Sequence, residues 1–365
     1  MLKLNAKAGI ERIRAHMATP DGQALPPAAV RLDPNESAFG PSPLAVAAMR
    51  AAVAGIERYH EAPDAMLAPA LAARHGLDPA RIVVGQGSDD LIARLARAYL
   101  EPGTELVRSA NGYPKVPNYA HANDAVPVAV PDAAFVPSVD GLLAAVTPRT
   151  RIVYLANPEN PAGTWLPPAE LRRLHARLPQ NVLLVIDAAY EDYVDAPGAE
   201  PTARLVEAAD NVVMTRTFSK LHGLAGARVG WLYAPSAVAD AVRRIGLTFP
   251  LATPSLAAAL AALEDTAHDA RVLSETRRLR GWLSGELESL GLRVTPSQGN
   301  FVLVGFPDPA RPAAHAAQAL RGQGIAVRRF ASPAFDACLR ITIGPEPDLR
   351  RCLAALRASL MAPAA

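Results

Sequence analysis

Short apolar runs alternate with helical patterns through the chain from about residue 81 onward. Runs rich in Val, Ile and Leu predict strands, and segments between them, such as residues 168–177, carry apolar residues at helical spacing. The predicted strands are residues 82–84, 105–107, 151–155, 182–186, 211–215 and 229–233. Strands that alternate with helices predict an α/β fold, with a mostly parallel sheet covered by helices on both faces.

The N-terminal part of the chain has a different pattern. Ile10, Ile13 and Met17 have helical spacing and predict a helix docked on the surface. Residues 31–43 are rich in Pro, Ser and Asn and predict an extended loop. Because 365 residues is about twice the usual domain length, we expect one large and one smaller domain.

Polar residues follow several predicted strands. They are the turn at residues 157–163 (NPENPAG), Asp187 with Tyr190, Ser219 with Lys220, and Tyr113 after a short loop. Ligands of parallel α/β sheets bind beyond the carboxyl ends of the strands. We therefore expect these side chains to converge on one site.

The stretch at residues 217–230 (TFSKLHGLAGARVG) carries a lysine, Lys220, among hydroxyl groups and glycines. Thr217, Ser219 and Arg228 can bind an anion, and a buried lysine loses its proton easily and can attack a carbonyl. A phosphorylated aldehyde cofactor satisfies both requirements. The alternative is an exposed lysine in a polar loop.

A second anion site is predicted at residues 85–90, where a glycine turn separates a strand from a helix. The amides of a helix N-terminus bind phosphate groups. The competing interpretation is a dinucleotide fingerprint, but Asp90 replaces its third glycine. The turn therefore favours a single phosphate.

These groups match the requirements of pyridoxal phosphate, which needs a lysine, a carboxylate for its ring nitrogen, donors for its phenolate oxygen, a stacking ring and a phosphate site. The candidates, in that order, are Lys220; Asp187; Asn160 and Tyr190; Tyr113; and Ser88, Asp89, Thr217, Ser219 and Arg228. Each has an ordinary alternative: a helix cap for Asp187, core positions for the tyrosines, a turn for Asn160 and a surface cation for Arg228.

The chain resembles fold-type-I aminotransferases, and among them the histidinol-phosphate aminotransferase family. The resemblance rests on the motifs GQGSDDLI, NPENPAG, DAAY, TFSKLHGLAGARVG and RITIG, which occur in order along the chain. It implies a large domain at residues 44–255 with a mixed, mostly parallel sheet between helices. It also implies a smaller α+β domain, formed by an N-terminal arm (residues 1–43) and residues 256–365.

The resemblance also implies residue roles. Lys220 binds the cofactor covalently and moves the substrate proton, Asp187 pairs with the ring nitrogen, and Arg340, Arg328 and Asn160 bind substrate. Tyr59 reaches the cofactor phosphate of a second subunit, so a homodimer with shared sites is expected.

The expected reaction exchanges an amino group between glutamate/2-oxoglutarate and a second substrate, most simply histidinol phosphate/imidazole-acetol phosphate. The alternatives are an aromatic or other amino acid as donor, a decarboxylase or lyase on the same scaffold, and a non-catalytic binding protein. The chain departs from the family pattern at Ala162, Ala188 and His222, and it has no tyrosine in residues 13–22.

Composition excludes several other classes of partner. The net charge is +2, which gives no electrostatic footprint for nucleic acid or an anionic membrane. The longest nearly apolar run, residues 251–263, is too short to span a bilayer. Cys338 and Cys352 have neither metal-ligand nor CxxC spacing, so we expect reduced thiols, no metal site and a cytoplasmic location.

Overall fold

The computed structural model describes residues 5–13, 29–59 and 62–361. The strands are β1 (Val30–Leu32), β2 (Ile82–Gly85), β3 (Glu105–Ser109), β4 (Val126–Val130), β5 (Thr150–Ala156), β6 (Leu183–Asp187), β7 (Val212–Thr217), β8 (Gly230–Tyr233), β9 (Arg293–Thr295), β10 (Phe301–Gly305), β11 (Ile325–Val327) and β12 (Cys338–Thr342).

The α-helices are α1 (Pro43–Ala52), α2 (Pro63–His75), α3 (Ser88–Tyr99), α4 (Val116–His121), α5 (Val139–Ala144), α6 (Pro168–Arg177), α7 (Ala203–Glu207), α8 (Ser236–Arg244), α9 (Thr253–Glu264), α10 (Thr266–Ser289), α11 (Ala313–Gly322) and α12 (Glu346–Met361). Short 3₁₀ helices lie at Ala8–Arg12, Val53–Gly55, Pro79–Arg81, Glu191–Tyr193, Ala225–Ala227 and Pro333–Phe335.

The large sheet has seven strands in the order β2-β8-β7-β6-β5-β3-β4. Strand β8 runs antiparallel to both of its neighbours, and the other pairs are parallel. The mixed, mostly parallel sheet predicted from the sequence is therefore confirmed. Edge strand β4 was not predicted, because it contains Pro127 and its residues are mostly exposed or half-buried.

Apolar side chains on the two faces of this sheet belong to separate cores. In β2, Val84 packs with α2 residues such as Leu67, whereas Val83 packs with Leu91 of α3 and Val238 of α8. Successive residues of a strand point to opposite faces. Continuous apolar runs in the sequence therefore reflect a sheet that is buried on both sides.

A smaller unit joins the two ends of the chain. Strand β1 pairs in parallel with β11, and β10 lies between β12 and β9 in an antiparallel sheet. Residues of β1, β10, α10 and α12 share one apolar core. Helix α9 packs with α1 and α2 in the core of the large sheet instead. We therefore propose that the large domain extends to α9, beyond residue 255.

The predicted N-terminal helix differs from the structure. Its described part is the 3₁₀ helix Ala8–Arg12, and Ile10 is 42% exposed. Gly9 makes the contact, because its amide donates to Asp124 Oδ1 over 2.7 Å. Met17 lies outside the described residues. Within the described ranges, no helix combines the length and apolarity needed to cross a membrane.

Candidate active site

A cavity of about 420 Å³ lies beyond the carboxyl ends of β5, β6 and β7. It is lined by Ser88, Asp89, Tyr113, Asn160, Asp187, Tyr190, Thr217, Ser219, Lys220, Arg228, Arg328 and Arg340, all of which were predicted from the sequence as site residues. Tyr59 does not line it. The structure therefore brings together the predicted residues from separate strand ends, while their individual roles remain predictions.

One end of the cavity is built to hold an anion. Helix α3 begins at Ser88, and its N-cap, Gly87, has a φ of 82° and no side chain to cap the first amides. The guanidinium of Arg228 packs so close to Gly87 that a Cβ there would lie 2.6 Å from Nη2. The hydroxyls of Thr217 and Ser219 are 2.9 Å apart beside it. Amides, hydroxyls and a guanidinium together suit a phosphate group.

The carboxylate of Asp89 is occupied by neighbouring side chains. It accepts hydrogen bonds from Tyr119 Oη (2.7 Å), Lys115 Nζ (2.9 Å) and Tyr113 Oη (3.2 Å). Burial opposes ionisation, but the bonds from Lys115 and Tyr119 hold the pKa of Asp89 below its usual value. Asp89 can therefore serve an anion only through its backbone amide, and its side chain fixes the Tyr113 ring.

Asp187 ends β6 and is buried, with 7% of its surface exposed. It accepts from the hydroxyls of Tyr154 (2.9 Å) and Thr215 (3.2 Å), both neutral donors. Burial raises the pKa of Asp187 to about 6, although the Tyr154 bond lowers it. At neutral pH the carboxylate is ionised in a low-dielectric site, which favours a bound cation such as a protonated ring nitrogen.

The amine of Lys220 faces the N-terminal loop. Nζ donates to the carbonyl of Asn35 over 3.0 Å and to that of Pro34 over 3.5 Å. It also lies 5.5 Å from the centre of the Tyr190 ring. Tyr190 Oη accepts a hydrogen bond from Asn35 Nδ2 over 3.1 Å. Asn35 therefore links the lysine to the tyrosine.

Two arginines occupy the other end of the cavity. Arg340 donates from Nη1 to Asn160 Oδ1 (2.7 Å) and from Nη2 to the carbonyl of Asp33 (2.6 Å). Arg328 pairs with it through the backbone, in an antiparallel bridge. Burial lowers the pKa of Arg340 to about 10 and also lowers that of Arg328, but both remain charged at neutral pH. Two neighbouring guanidinium groups favour an anionic substrate.

A model of the aminotransferase class I and II family matches residues 28–356. The chain belongs to this aminotransferase family. The histidinol-phosphate aminotransferase of Rhodospirillum centenum is 47% identical over 327 residues, which cover 90% of each chain. That of Paramagnetospirillum magneticum is 46% identical over 329 residues, which cover 90% of this chain and 91% of the relative.

The fold comparison agrees with the family. The crystal structure of histidinol-phosphate aminotransferase from Sinorhizobium meliloti in complex with pyridoxal 5'-phosphate matches this aminotransferase with a TM-score of 0.90. Its sequence is 31% identical, and the match covers 98% of each chain.

Tyr59 of this aminotransferase lies away from the cavity. It is 80% exposed and stacks on Phe249, with ring centres 4.1 Å apart. His222, one of the departures from the family pattern, contacts Phe218 with ring centres 4.7 Å apart and tilted planes, and its Nδ1 lies 3.2 Å from Asp269 Oδ1. It therefore stabilises the loop that contains Lys220 without lining the cavity.

Several residues at this aminotransferase site were not predicted from the sequence. Asp33 and Asn35 bind Arg340 and Lys220 through backbone carbonyls, which no residue type reveals. Tyr154 and Thr215 bind Asp187 from neighbouring strands. These two residues could have been predicted, because both are polar and lie within runs that the sequence predicts to be buried strands.

Proposed function

We propose that this aminotransferase uses pyridoxal 5'-phosphate to exchange an amino group between glutamate/2-oxoglutarate and histidinol phosphate/imidazole-acetol phosphate. The observation that carries the proposal is a single cavity that contains the amine of Lys220, the buried carboxylate of Asp187 and the anion site at α3. The named activities of the relatives support the substrate.

The cofactor fits the groups that are present. The α3 amides, Ser219 and Arg228 suit its phosphate, Asp187 suits its ring nitrogen, and Lys220 supplies the amine that binds it. The pyridoxal 5'-phosphate in the Sinorhizobium meliloti relative supports this assignment. When bound, the cofactor takes up the electron pair released at the substrate Cα.

The side chains of the cavity supply the remaining chemistry. Lys220 Nζ takes the proton from the substrate Cα and later returns it, as a general base and then an acid. Asp187, held by Tyr154 and Thr215, would pair as a carboxylate with the protonated ring nitrogen. Asn160 and Tyr190 would hold the phenolate oxygen of the bound ring, and Tyr113 would pack on its face. Arg228 and Ser219 would hold its phosphate group.

Arg328 and Arg340 bind the anionic group of each substrate. A guanidinium binds phosphate or carboxylate in the same bidentate geometry, so both half-reactions can use this pair. Because the pair also binds a carboxylate, the second candidate substrate is an aromatic or other amino acid in place of histidinol phosphate.

We also propose that the protein is a cytoplasmic homodimer with shared active sites. Exposed apolar side chains flank the stacked pair Tyr59 and Phe249 in the sequence: Ile56 is 62% exposed and Leu247 is 61% exposed. Such side chains favour burial against a second copy. Cys338 and Cys352 are both free and buried, which supports a reducing compartment.

The test measures both cofactor attachment and donor choice. Borohydride treatment of the purified protein with pyridoxal 5'-phosphate should fix the label on Lys220, and not on Lys3, Lys7 or Lys115. In a separate, unreduced sample of the loaded protein, the absorption spectrum of the cofactor should change faster with histidinol phosphate than with phenylalanine or tyrosine. Labelling elsewhere would contradict the cofactor assignment, and a preference for phenylalanine or tyrosine would favour the second candidate.

A further inference from the structure

Glu159 is a buried carboxyl group that the proposed chemistry does not use. It lies in the turn at residues 157–163, is 2% exposed, and does not line the cavity. Its immediate chain neighbour Asn160 does line the cavity, and the Asn160 side chain accepts a hydrogen bond from Arg340. Burial of a carboxyl group costs free energy unless its oxygens have hydrogen-bond partners. The contacts of Glu159 therefore indicate its role.

The contacts of Glu159 connect two separate loops. Oε1 accepts a hydrogen bond from the amide of Asn160 over 3.0 Å. On the other side, the carboxyl packs against Gly112, where an added Cβ would lie 3.1 Å from both oxygens. The backbone of Tyr113 also faces the carboxyl and favours its ionised form. Glu159 therefore lies between the backbone that carries Tyr113 and the backbone that carries Asn160.

The charged groups around Glu159 have opposing effects. Asp187 and Asp132 repel its ionised form, while Arg108 attracts it. Burial is the largest influence and raises the pKa of Glu159 to about 8. Burial thus disfavours the charge of Glu159, so glutamine, which has the same shape, no charge and one oxygen acceptor, is its conservative replacement.

We propose that Glu159 is a positioning residue that fixes the loop of Tyr113 against the turn of Asn160. This inference rests on the proposed function, in which Tyr113 stacks on the cofactor ring and Asn160 contacts it. Asp89 holds the hydroxyl end of Tyr113, and Glu159 holds its backbone end. Asp89 and Glu159 together thus fix the distance between the Tyr113 ring and the Asn160 side chain.

Three substitutions change the contacts of Glu159 in different ways, and a fourth serves as the control. Glu159→Gln keeps the size and the oxygen acceptor, whereas Glu159→Ala leaves the Asn160 amide unpaired and opens a gap beside Gly112. Gly112→Ala pushes a methyl group against the same carboxyl from the opposite loop. Glu288→Ala, at an exposed position on α10, is the control.

The first measurement is hydrogen exchange of the Asn160 amide in the cofactor-free, full-length protein. Pro158 and Pro161 have no amide hydrogen, so this signal is easy to isolate. Glu159→Ala should speed its exchange by about tenfold or more, while Glu159→Gln and Glu288→Ala should not. Unchanged exchange in a folded Glu159→Ala protein would overturn the proposal. If that variant does not fold, Glu159→Asp, whose shorter side chain withdraws the carboxyl oxygen from the Asn160 amide, must show the faster exchange instead.

The second measurement is made on the protein loaded with pyridoxal 5'-phosphate. Glu159→Ala and Gly112→Ala should weaken the visible circular dichroism of the bound cofactor, and should lower kcat with little change in donor KM. Glu159→Gln should restore both. Normal dichroism and normal kcat in both disruptive variants would contradict a positioning role. If wild-type protein binds no pyridoxal phosphate, the proposed function fails, and the exchange experiment still tests the loop contact.

Discussion

Arg340 Nη1 donates to Asn160 Oδ1 over 2.7 Å, and this bond joins β12 of the small sheet to the turn after β5 of the large sheet. The Asp33 carbonyl accepts from Nη2, so the guanidinium plane is fixed from two directions. Among the described residues Nε has no hydrogen-bond partner, although it is buried. The group is therefore oriented before a substrate arrives, which lowers the cost of binding an anion.

Replacing Arg340 with lysine tests this orientation. Lysine keeps the charge but cannot bond Asn160, Asp33 and an anion with one planar fork. We expect kcat/KM for the amino donor to fall by about 10- to 100-fold, with cofactor affinity nearly unchanged. Steady-state kinetics and cofactor titration measure the two effects. Arg329→Lys is the control, because Arg329 is exposed outside the cavity. Equal losses in both variants would contradict a specific role for Arg340.

Asp187 should make the stability of the cofactor-free protein depend on pH. Its folded pKa of about 6 lies above the unfolded value of 3.8, so the folded state binds the proton more tightly. Stability should therefore fall as the pH rises from about 4 to about 6 and remain lower above that range. Asp187→Asn removes this contribution.

Thermal or urea unfolding at pH 5 and pH 7.5 measures the effect. The variant should gain about 1 kcal/mol relative to wild type between these pH values. Its transamination should nevertheless fall by orders of magnitude, because a neutral amide cannot hold the ring nitrogen protonated. A pH-independent difference in stability would contradict the raised pKa, and near-normal turnover would show that another group pairs with the cofactor.

Mixed dimers should reveal whether Tyr59 serves the partner subunit. Lys220→Ala should be inactive, and Tyr59→Ala should bind cofactor more weakly. In a mixed dimer, the subunit with an intact Lys220 receives its tyrosine from the Lys220→Ala partner. We therefore expect activity at low cofactor concentration to rise above that of either parent after the two variants are mixed and allowed to exchange subunits.

The control for that experiment mixes Tyr59→Phe with Lys220→Ala, which separates loss of the hydroxyl from loss of the ring on Phe249. If mixing produces no gain although mixed dimers form, Tyr59 acts within its own subunit or only at the interface.

The sequence was sufficient to predict the large sheet apart from its edge strand β4, and the side chains beyond the strand ends. Asp187 and Lys220 could be predicted because residue type and position after an apolar run both point to chemistry. The small sheets could not be predicted in the same way. Strands β1 and β11 have three residues each, and they pair across almost the whole chain. Local periodicity contains no information on such a partner.

The unpredicted part of the site has a common physical cause. Asp33 and Asn35 bind Arg340 and Lys220 through their backbone carbonyl groups, which every residue has, so these two contacts depend on the loop conformation alone. Glu159 has a common residue type within a turn, and only its burial between two loops distinguishes it. Function that arises from backbone position or burial has no signature in a single sequence.

The pairing of Val30 with Ile325 affects the order of events during synthesis. The carbonyls that face Lys220 belong to Pro34 and Asn35, which are synthesised early. They follow β1, and β11, the strand that pairs with β1, leaves the ribosome near the end of translation. Arg340 follows later still. The large sheet can form while the chain is growing, whereas a competent site must wait for its last segment. A nascent chain that is stalled before β11 should therefore be folded in part and inactive.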